Sequence, residues 1–497
     1  TYFKLKDYNS ATTYFRKYTG NRLENPSVLD ALVRLGDCYF VTSKYQPAID
    51  AYSKYIRNNG SEQDYAAFQK ALSYGFVGKN DTKLAELNNF IAAYPSSTLK
   101  DDVLFELGNS YIRDNRESEG LRTYDQLVRE YKGSSLVPQA LLRQGLVHYN
   151  ANRNEEALTK FKQVVKDFPG TQEAVQAVST AKLVYIDMGR VNEYGAWVRG
   201  LDFVAVTDTE LDNASYESAS KQQLEGKIPA AIKGYESYLK EFPSGMHAIK
   251  AHFNLAQLYF GRGENEKALG SYQYVAERGG NEFTEQSLTR VCELLIARND
   301  YTAALPYLKR LESTADIPQN RTYAQQNLMK GYYEQGAYEQ TLVYAEKVLA
   351  TANVDDRIRS DAHIMIARSA IKTGDAQTAE KGYQEVLKIA TGAMAAEAWY
   401  YDAYFKNKKG AYEASNKSVQ TLAKDFASYK EWGGKGLLIM ARNFYELGDA
   451  FQATYILDSV VANFAQFPEI VSEAKETLAT IKAKEAERNA SVNPDGN

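Results

Sequence analysis

The sequence predicts an all-α fold, a right-handed superhelical solenoid of about twelve short helix pairs. Three observations carry this. Small residues recur at intervals of 35 to 38 residues over the whole length. Between them, apolar residues step by three and four, the period of a helix face. Short polar turns, often with glycine, separate the helical stretches. One such pair cannot bury its own apolar stripe, so neighbours must stack on it.

The pattern is clearest in Ala31 to Tyr55. Leu35, Gly36 and Tyr39 mark a first helix, and Ala48, Tyr52 and Tyr55 a second. In later first helices the place of Gly36 is taken by Ala71, Gly108, Gly145, Ala219, Ala256, Ala367, Ala403 and Ala441. Lys182, Cys292 and Met329 break this rule. In second helices the small residues are Ala48, Gly120, Ala157, Ala231, Ala268, Ala304, Ala379 and Ala453. Small residues let two helix backbones approach, and aromatics fill the space on either side.

Boundaries between pairs follow one formula: Tyr94-Pro95-Ser96-Ser97, Phe168-Pro169-Gly170-Thr171 and Phe242-Pro243-Ser244-Gly245. The aromatic plugs the end of a second helix, proline stops it, and Ser or Thr caps the next. Tyr131-Lys132-Gly133-Ser134 is the same formula without proline.

Residues 1–200 form an N-terminal array that starts inside a repeat, which places further residues upstream. Gly200 to Glu210 (GLDFVAVTDTE) replaces an ordinary boundary with an extended apolar piece, and residues 201–210 are expected to be an irregular joint. A C-terminal array covers 211–467, a charged capping helix 468–488, and a disordered tail 489–497.

Composition narrows the function classes. A net charge of -4 over 497 residues argues against a nucleic-acid surface. Two cysteines, Cys38 and Cys292, exclude a disulfide scaffold; they read as small core residues. No apolar run reaches the roughly 18 residues that span a bilayer. The four histidines, His148, His247, His252 and His363, have no metal-ligand spacing, and His148, His252 and His363 fall at packing positions. No glycine-rich phosphate loop and no nucleophile elbow occurs. The expectation is a non-enzyme without cofactor or metal.

These residues resemble the tetratricopeptide repeat: its Leu-Gly and Tyr on the first helix, its Ala-rich second helix and its terminal proline. The resemblance covers almost the whole chain. It is strong in 27–60, 98–134, 135–171 and 246–281, and weak in 172–210 and 282–319. Trp399 stands where the family has a large aromatic. Repeats longer than the usual 34 residues that end in Tyr/Phe-Pro-x-Ser resemble a bacterial subset. That subset includes lipoproteins of outer-membrane barrel assembly and the periplasmic partner of the Tol machinery.

The resemblance implies a protein–protein interaction scaffold of a bacterial cell-envelope complex, periplasmic or associated with the outer membrane. Its partners would be envelope complex subunits, with peripheral membrane association open to it. A cytoplasmic adaptor or co-chaperone is the alternative, and a glycan- or peptidoglycan-binding solenoid a third. In the family, first helices line a concave face. Register then places Tyr323, Lys330, Tyr333, Arg368, Lys372, Tyr400, Tyr404, Arg442 and Tyr445 on that face in the C-terminal array. Tyrosine with arginine suits a protein interface. The N-terminal array contributes Tyr65, Phe68, Phe105 and Asn109, with Leu142 and Tyr149, a less charged line suited to an apolar segment. Phe105 stands where chaperone-binding members of the family carry a lysine, which argues against capture of a chaperone's C-terminal carboxylate.

Overall fold

The computed structural model describes residues 2–20, 25–352 and 354–492. Among them there are 26 helices and no strand. Helix α1 (Tyr8–Tyr18) precedes twelve consecutive pairs. These are α2 (Pro26–Val41) and α3 (Tyr45–Arg57), α4 (Gln63–Phe76) and α5 (Asn80–Ala93), α6 (Lys100–Arg113) and α7 (Glu117–Glu130), and α8 (Val137–Asn150) and α9 (Asn154–Asp167). Next come α10 (Gln172–Asp187) and α11 (Val191–Val198), α12 (Asp208–Leu224) and α13 (Ile228–Glu241), α14 (Ala248–Gly261) and α15 (Asn265–Glu277), and α16 (Thr284–Ile296) and α17 (Tyr301–Thr314). The last are α18 (Pro318–Glu334) and α19 (Tyr338–Ala350), α20 (Asp356–Thr373) and α21 (Ala376–Ile389), α22 (Gly392–Lys408) and α23 (Tyr412–Asp425), and α24 (Lys430–Glu446) and α25 (Ala450–Asn463). Helix α26 (Pro468–Val492) closes the chain.

The helices form two compact units, Thr1–Ala251 and His252–Asn497. The interruption at 201–210 lies inside the first. There Leu201, Phe203, Val204 and Val206 pack on the core of α8 to α10, and a Thr207–Glu210 capping box starts α12. Helix α26 continues to Val492. Of the tail expected to be disordered, residues 493–497 lie outside the described residues.

The tight contact within a pair joins each first-helix register residue to the residue sixteen positions later. A Cβ on Gly36 would lie 2.5 Å from Tyr52 Cε1, one on Gly108 2.6 Å from Tyr124 Cε1, and one on Gly145 2.7 Å from Phe161 Cδ1. Glycine is there because a ring lies against its Cα. Glycine is not required wherever a ring follows: Ala219, Ala256 and Ala367 stand sixteen residues before the buried Tyr235, Tyr272 and Tyr383, and elsewhere both members are aliphatic. Ala71 shares a cluster with Leu87, Ala403 with Val419 and Ala441 with Leu457. Met329, which breaks the small-residue rule, is fully buried against Ala345. Cys292 and Leu308 are likewise fully buried, and both cysteines are free thiols. Burial pushes Cys38 up to about 11 and Cys292 up to about 12. Lys182 remains an exception: it is half-exposed, and its opposite number is Val198, the last residue of the short α11.

Every turn inside a pair contains one residue with positive φ: Gly at 78, 189, 226, 263, 336, 374, 410 and 448, Asn at 115, 152 and 299, and Ser43. Glycine and asparagine tolerate the left-handed region best, and Ser43 is the exception among these turns. At the boundaries, the formula aromatics Tyr94, Tyr131, Phe168 and Phe242 are C-cap residues, each donating its N–H to the carbonyl four residues back. Thr171 caps α10 by accepting from Ala174 N at 3.2 Å. Acidic residues on preceding first helices lock the boundary turns. Asp212 accepts from Tyr238 Oη at 2.5 Å and Met246 N at 2.7 Å, and Glu285 accepts from Asp316 N and Ile317 N at 3.0 and 3.1 Å.

Candidate partner-binding surface

The residue after each register residue shares a helix face with those four and seven before it and three or four after it. That face carries the residues expected to meet a partner. In the first unit, Tyr65 and Phe68 on α4 and Phe105 and Asn109 on α6 are all half-buried. Tyr65 donates its hydroxyl to Asp37 Oδ1 at 3.0 Å, and Tyr52 donates to the same oxygen at 2.9 Å. Arg34 Nη1 donates to Asp37 Oδ2 at 3.2 Å. Burial beside this carboxylate drives both phenols well above their usual range. Asn109 accepts from Tyr124 Oη at 2.7 Å. Phe68 and Phe105 pack on Phe90 and Tyr124, with ring centroids 6.4 and 6.0 Å apart. Leu142 is buried, and Tyr149 donates to Asp187 Oδ2 at 2.9 Å.

In the second unit the same face is charged, and its charges are engaged. Lys330 pairs with Asp361 on the next first helix at 3.0 Å. Arg368 forms a bidentate pair with Glu397 on α22, at 2.9 and 2.6 Å. Glu397 is 4% exposed and also accepts from Tyr383 Oη at 2.9 Å. The hydrogen bond to Glu397 holds the Arg368 guanidinium above its usual range despite burial. Arg442 pairs with Glu473 on α26. These ion pairs staple successive first helices together.

The tyrosines there divide by environment. Tyr400 stands edge-on to Tyr401 at 5.0 Å and tilts against Trp432 at 5.3 Å, and burial pushes its phenol up to about 12. Tyr404 packs on Phe405 with Lys408 over its ring at 5.5 Å. Tyr323 and Tyr333 are half-buried, and both phenols are raised by burial. Lys484 sits over Tyr445 at 6.0 Å. Lys372 is exposed and has no ion pair among the described residues.

Register reasoning did not identify Lys83. It occupies the place of Ala48 in α5, is 4% exposed, and pairs with Glu106 on α6. Its stem fits because Gly75 has no side chain: a Cβ there would lie 2.8 Å from Lys83 Cδ. The gap at residue 83 in the run of small second-helix residues was the available signal. The other gaps hold Tyr194, Thr341 and Ser415, all buried.

The described residues include no group of three or more His, Cys, Asp or Glu able to hold a metal. His252 stacks on Tyr274 at 3.6 Å, and its Nδ1 is buried without a hydrogen bond. His148 Nδ1 accepts from Arg153 Nε at 2.9 Å. No helix among the described residues is long and apolar enough to cross a membrane.

The tetratricopeptide repeat family model matches residues 1–62 and 105–171 of this chain. No curated protein matches the chain. Among solved structures, a tetratricopeptide repeat protein from Parabacteroides merdae ATCC 43184 is similar at 15% identity and a TM-score of 0.27, covering 52% of this chain and 96% of that one. The TPR domain of P58(IPK) is similar at 13% identity and 0.25, covering 92% and 99%. Naa15/Naa10 bound to HypK-THB is similar at 13% identity and 0.32, covering 91% and 79%.

Proposed function

We propose that this chain is a non-catalytic scaffold that binds other proteins along the register face of its first helices, within a bacterial cell-envelope assembly. The observation that carries the reading is the succession of twelve helix pairs among the described residues, with polar groups such as Lys330 and Arg368 engaged between neighbouring first helices. Tetratricopeptide repeats generally mediate protein–protein interaction, which supports the same reading. The envelope part rests on the Tyr/Phe-Pro-x-Ser boundaries. Glycan binding finds less support, because aromatic–sugar stacking needs a free flat ring and Tyr400 is packed against Tyr401 and Trp432.

The groove contacts divide into staples and free groups. Lys372 can meet a partner without breaking the stack, whereas Arg368 cannot. Chemical crosslinking of the tagged full-length protein in its native cells, followed by capture, should recover periplasmic or outer-membrane proteins crosslinked to residues 320–445. Lys372→Glu should weaken that capture and leave the melting curve unchanged. Full capture by Lys372→Glu would move the contact off this face. Fractionation of the full-length protein only to the cytoplasm would sink the envelope assignment.

A further inference from the structure

One histidine stands where neighbouring repeats carry tyrosine. Tyr39, Tyr111 and His148 lie three residues after Gly36, Gly108 and Gly145, and Tyr185 three after Lys182. Five residues further on, the N-cap of the second helix is basic in each case: Lys44, Arg116, Arg153 and Arg190. In two of these pairs the guanidinium lies over the tyrosine ring, Arg116 over Tyr111 at 4.6 Å and Arg190 over Tyr185 at 5.9 Å. Neither group of such a contact changes charge in the range where histidine titrates.

His148 makes a different contact. Arg153 Nε donates to its Nδ1 at 2.9 Å. The turn holds the two residues together, because Arg153 N donates to the His148 carbonyl, also at 2.9 Å. Arg153 Nη2 reaches on to Glu117, the first residue of α7 in the preceding pair. One guanidinium therefore joins the end of α8 and the start of α9 to the start of α7. Arg190 makes the corresponding link to Glu155 on α9, but without a histidine.

A guanidinium only donates, so Nδ1 must offer its lone pair and the imidazole must be neutral. Once protonated, Nδ1 is a donor facing a donor, and two cations meet at one contact. We propose that His148 is an acid-sensitive latch between neighbouring repeats: its protonation expels Arg153 and loosens α9 from α7. Burial, then Arg153 and Lys160, hold His148 below its usual range, against the opposing pull of Glu156 and Glu117. The unfolded chain takes up this proton near about pH 6.5. What the latch contributes is therefore complete above that pH and is lost as the pH falls.

The test uses the full chain and amide exchange at about pH 7.5 and 5.5, corrected for the intrinsic effect of pH. Acid should speed exchange in α7 and α9 by about two- to five-fold, the weight of a partly exposed ion pair. It should leave α3 unchanged, since Tyr39 holds the histidine position there. His148→Tyr restores the ring of the neighbouring repeats and should abolish the acid response. His148→Asn sets an acceptor that does not titrate at the place of Nδ1 and should abolish it too. Exchange of the His148 C2 proton reads the titration directly; its midpoint should lie below about 6.5 and rise in Arg153→Gln. An equal acid response in α3, an undiminished response in either folded His148 variant, or a midpoint unmoved by Arg153→Gln would overturn the latch.

Discussion

The two units solve the same packing problem with different chemistry. In the first, glycines at 36, 108 and 145 lie under aromatic rings, and the neighbouring polar residues bond to tyrosine hydroxyls. In the second, register residues are Ala, Cys or Met, and successive first helices are joined by ion pairs at Lys330, Arg368 and Arg442. The units therefore differ in glycine set under a ring at the register position, which only the first has; ion pairs between successive first helices occur in both, Lys221 with Asp187 in the first. A repeat stack needs a filled contact in each pair and a satisfied seam, and either device supplies them.

The largest effect is expected at the best buried seam. Glu397→Ala leaves the Arg368 guanidinium and the Tyr383 hydroxyl without their acceptor. Removing one member of a buried pair costs about 3–5 kcal/mol; Arg368 is 34% exposed, so about 3 kcal/mol is expected. Because repeat stacks unfold in parts, urea unfolding followed by hydrogen exchange in α20 to α22 is the fitting measurement. The double change Arg368→Met with Glu397→Leu should recover most of the loss. Unaltered exchange in Glu397→Ala would mean that charge does not hold this seam.

Shape should matter comparably in the first unit. Gly145→Leu drives a side chain into Phe161 and should cost about 1–3 kcal/mol by overpacking. Met329 opposite Ala345 suggests the rescue. Gly145→Met combined with Phe161→Ala exchanges large for small and should melt closer to the natural chain than Gly145→Leu. A double variant no better than the single would show that volume removed at residue 161 does not make room at residue 145.

A smaller, pH-dependent difference belongs to the second unit. Burial, reinforced by Arg278, lowers His252 to about 4. Its folded value lies below the unfolded one of about 6.5, so the unfolded chain takes up the proton first. The stability linked to neutral His252 is complete above about pH 6.5 and is lost as pH falls toward 4. Partial solvent access reduces the effect to about 1–2 kcal/mol. His252→Phe keeps the stack on Tyr274 and needs no partner for Nδ1. The dependence of Tm on pH between 7 and 4 should be shallower in this variant; an identical slope would remove His252 as its source.

Much of this was legible in the sequence because the repeat is local. Gly36, Gly108 and Gly145 announced close contacts, Tyr94 and Phe168 announced helix ends, and the polar turns held the positive-φ residues. The seams were less legible. Arg368 and Glu397 lie 29 residues apart on different helices, and nothing local distinguishes Arg368, which staples, from Lys372, which is free. Met329 looked like a break because its compensation, Ala345, is on the other helix.

Glycine itself gives the finest test of the contrast. Gly270 lies inside α15, is exposed, and has open space where a Cβ would go. Unlike Gly145, it touches no ring, so its only effect on the helix is the backbone freedom it must give up on folding. Alanine at such a position stabilises by about 0.5–1 kcal/mol. Gly270→Ala should therefore raise the urea midpoint slightly, while Gly145→Ala lowers it, because even one methyl meets Phe161. The sign of the change separates a glycine kept for a contact from one that merely fills a place in a helix. If both variants shifted the same way, the close approach of Phe161 to Gly145 would not be what sets the packing of α8 on α9.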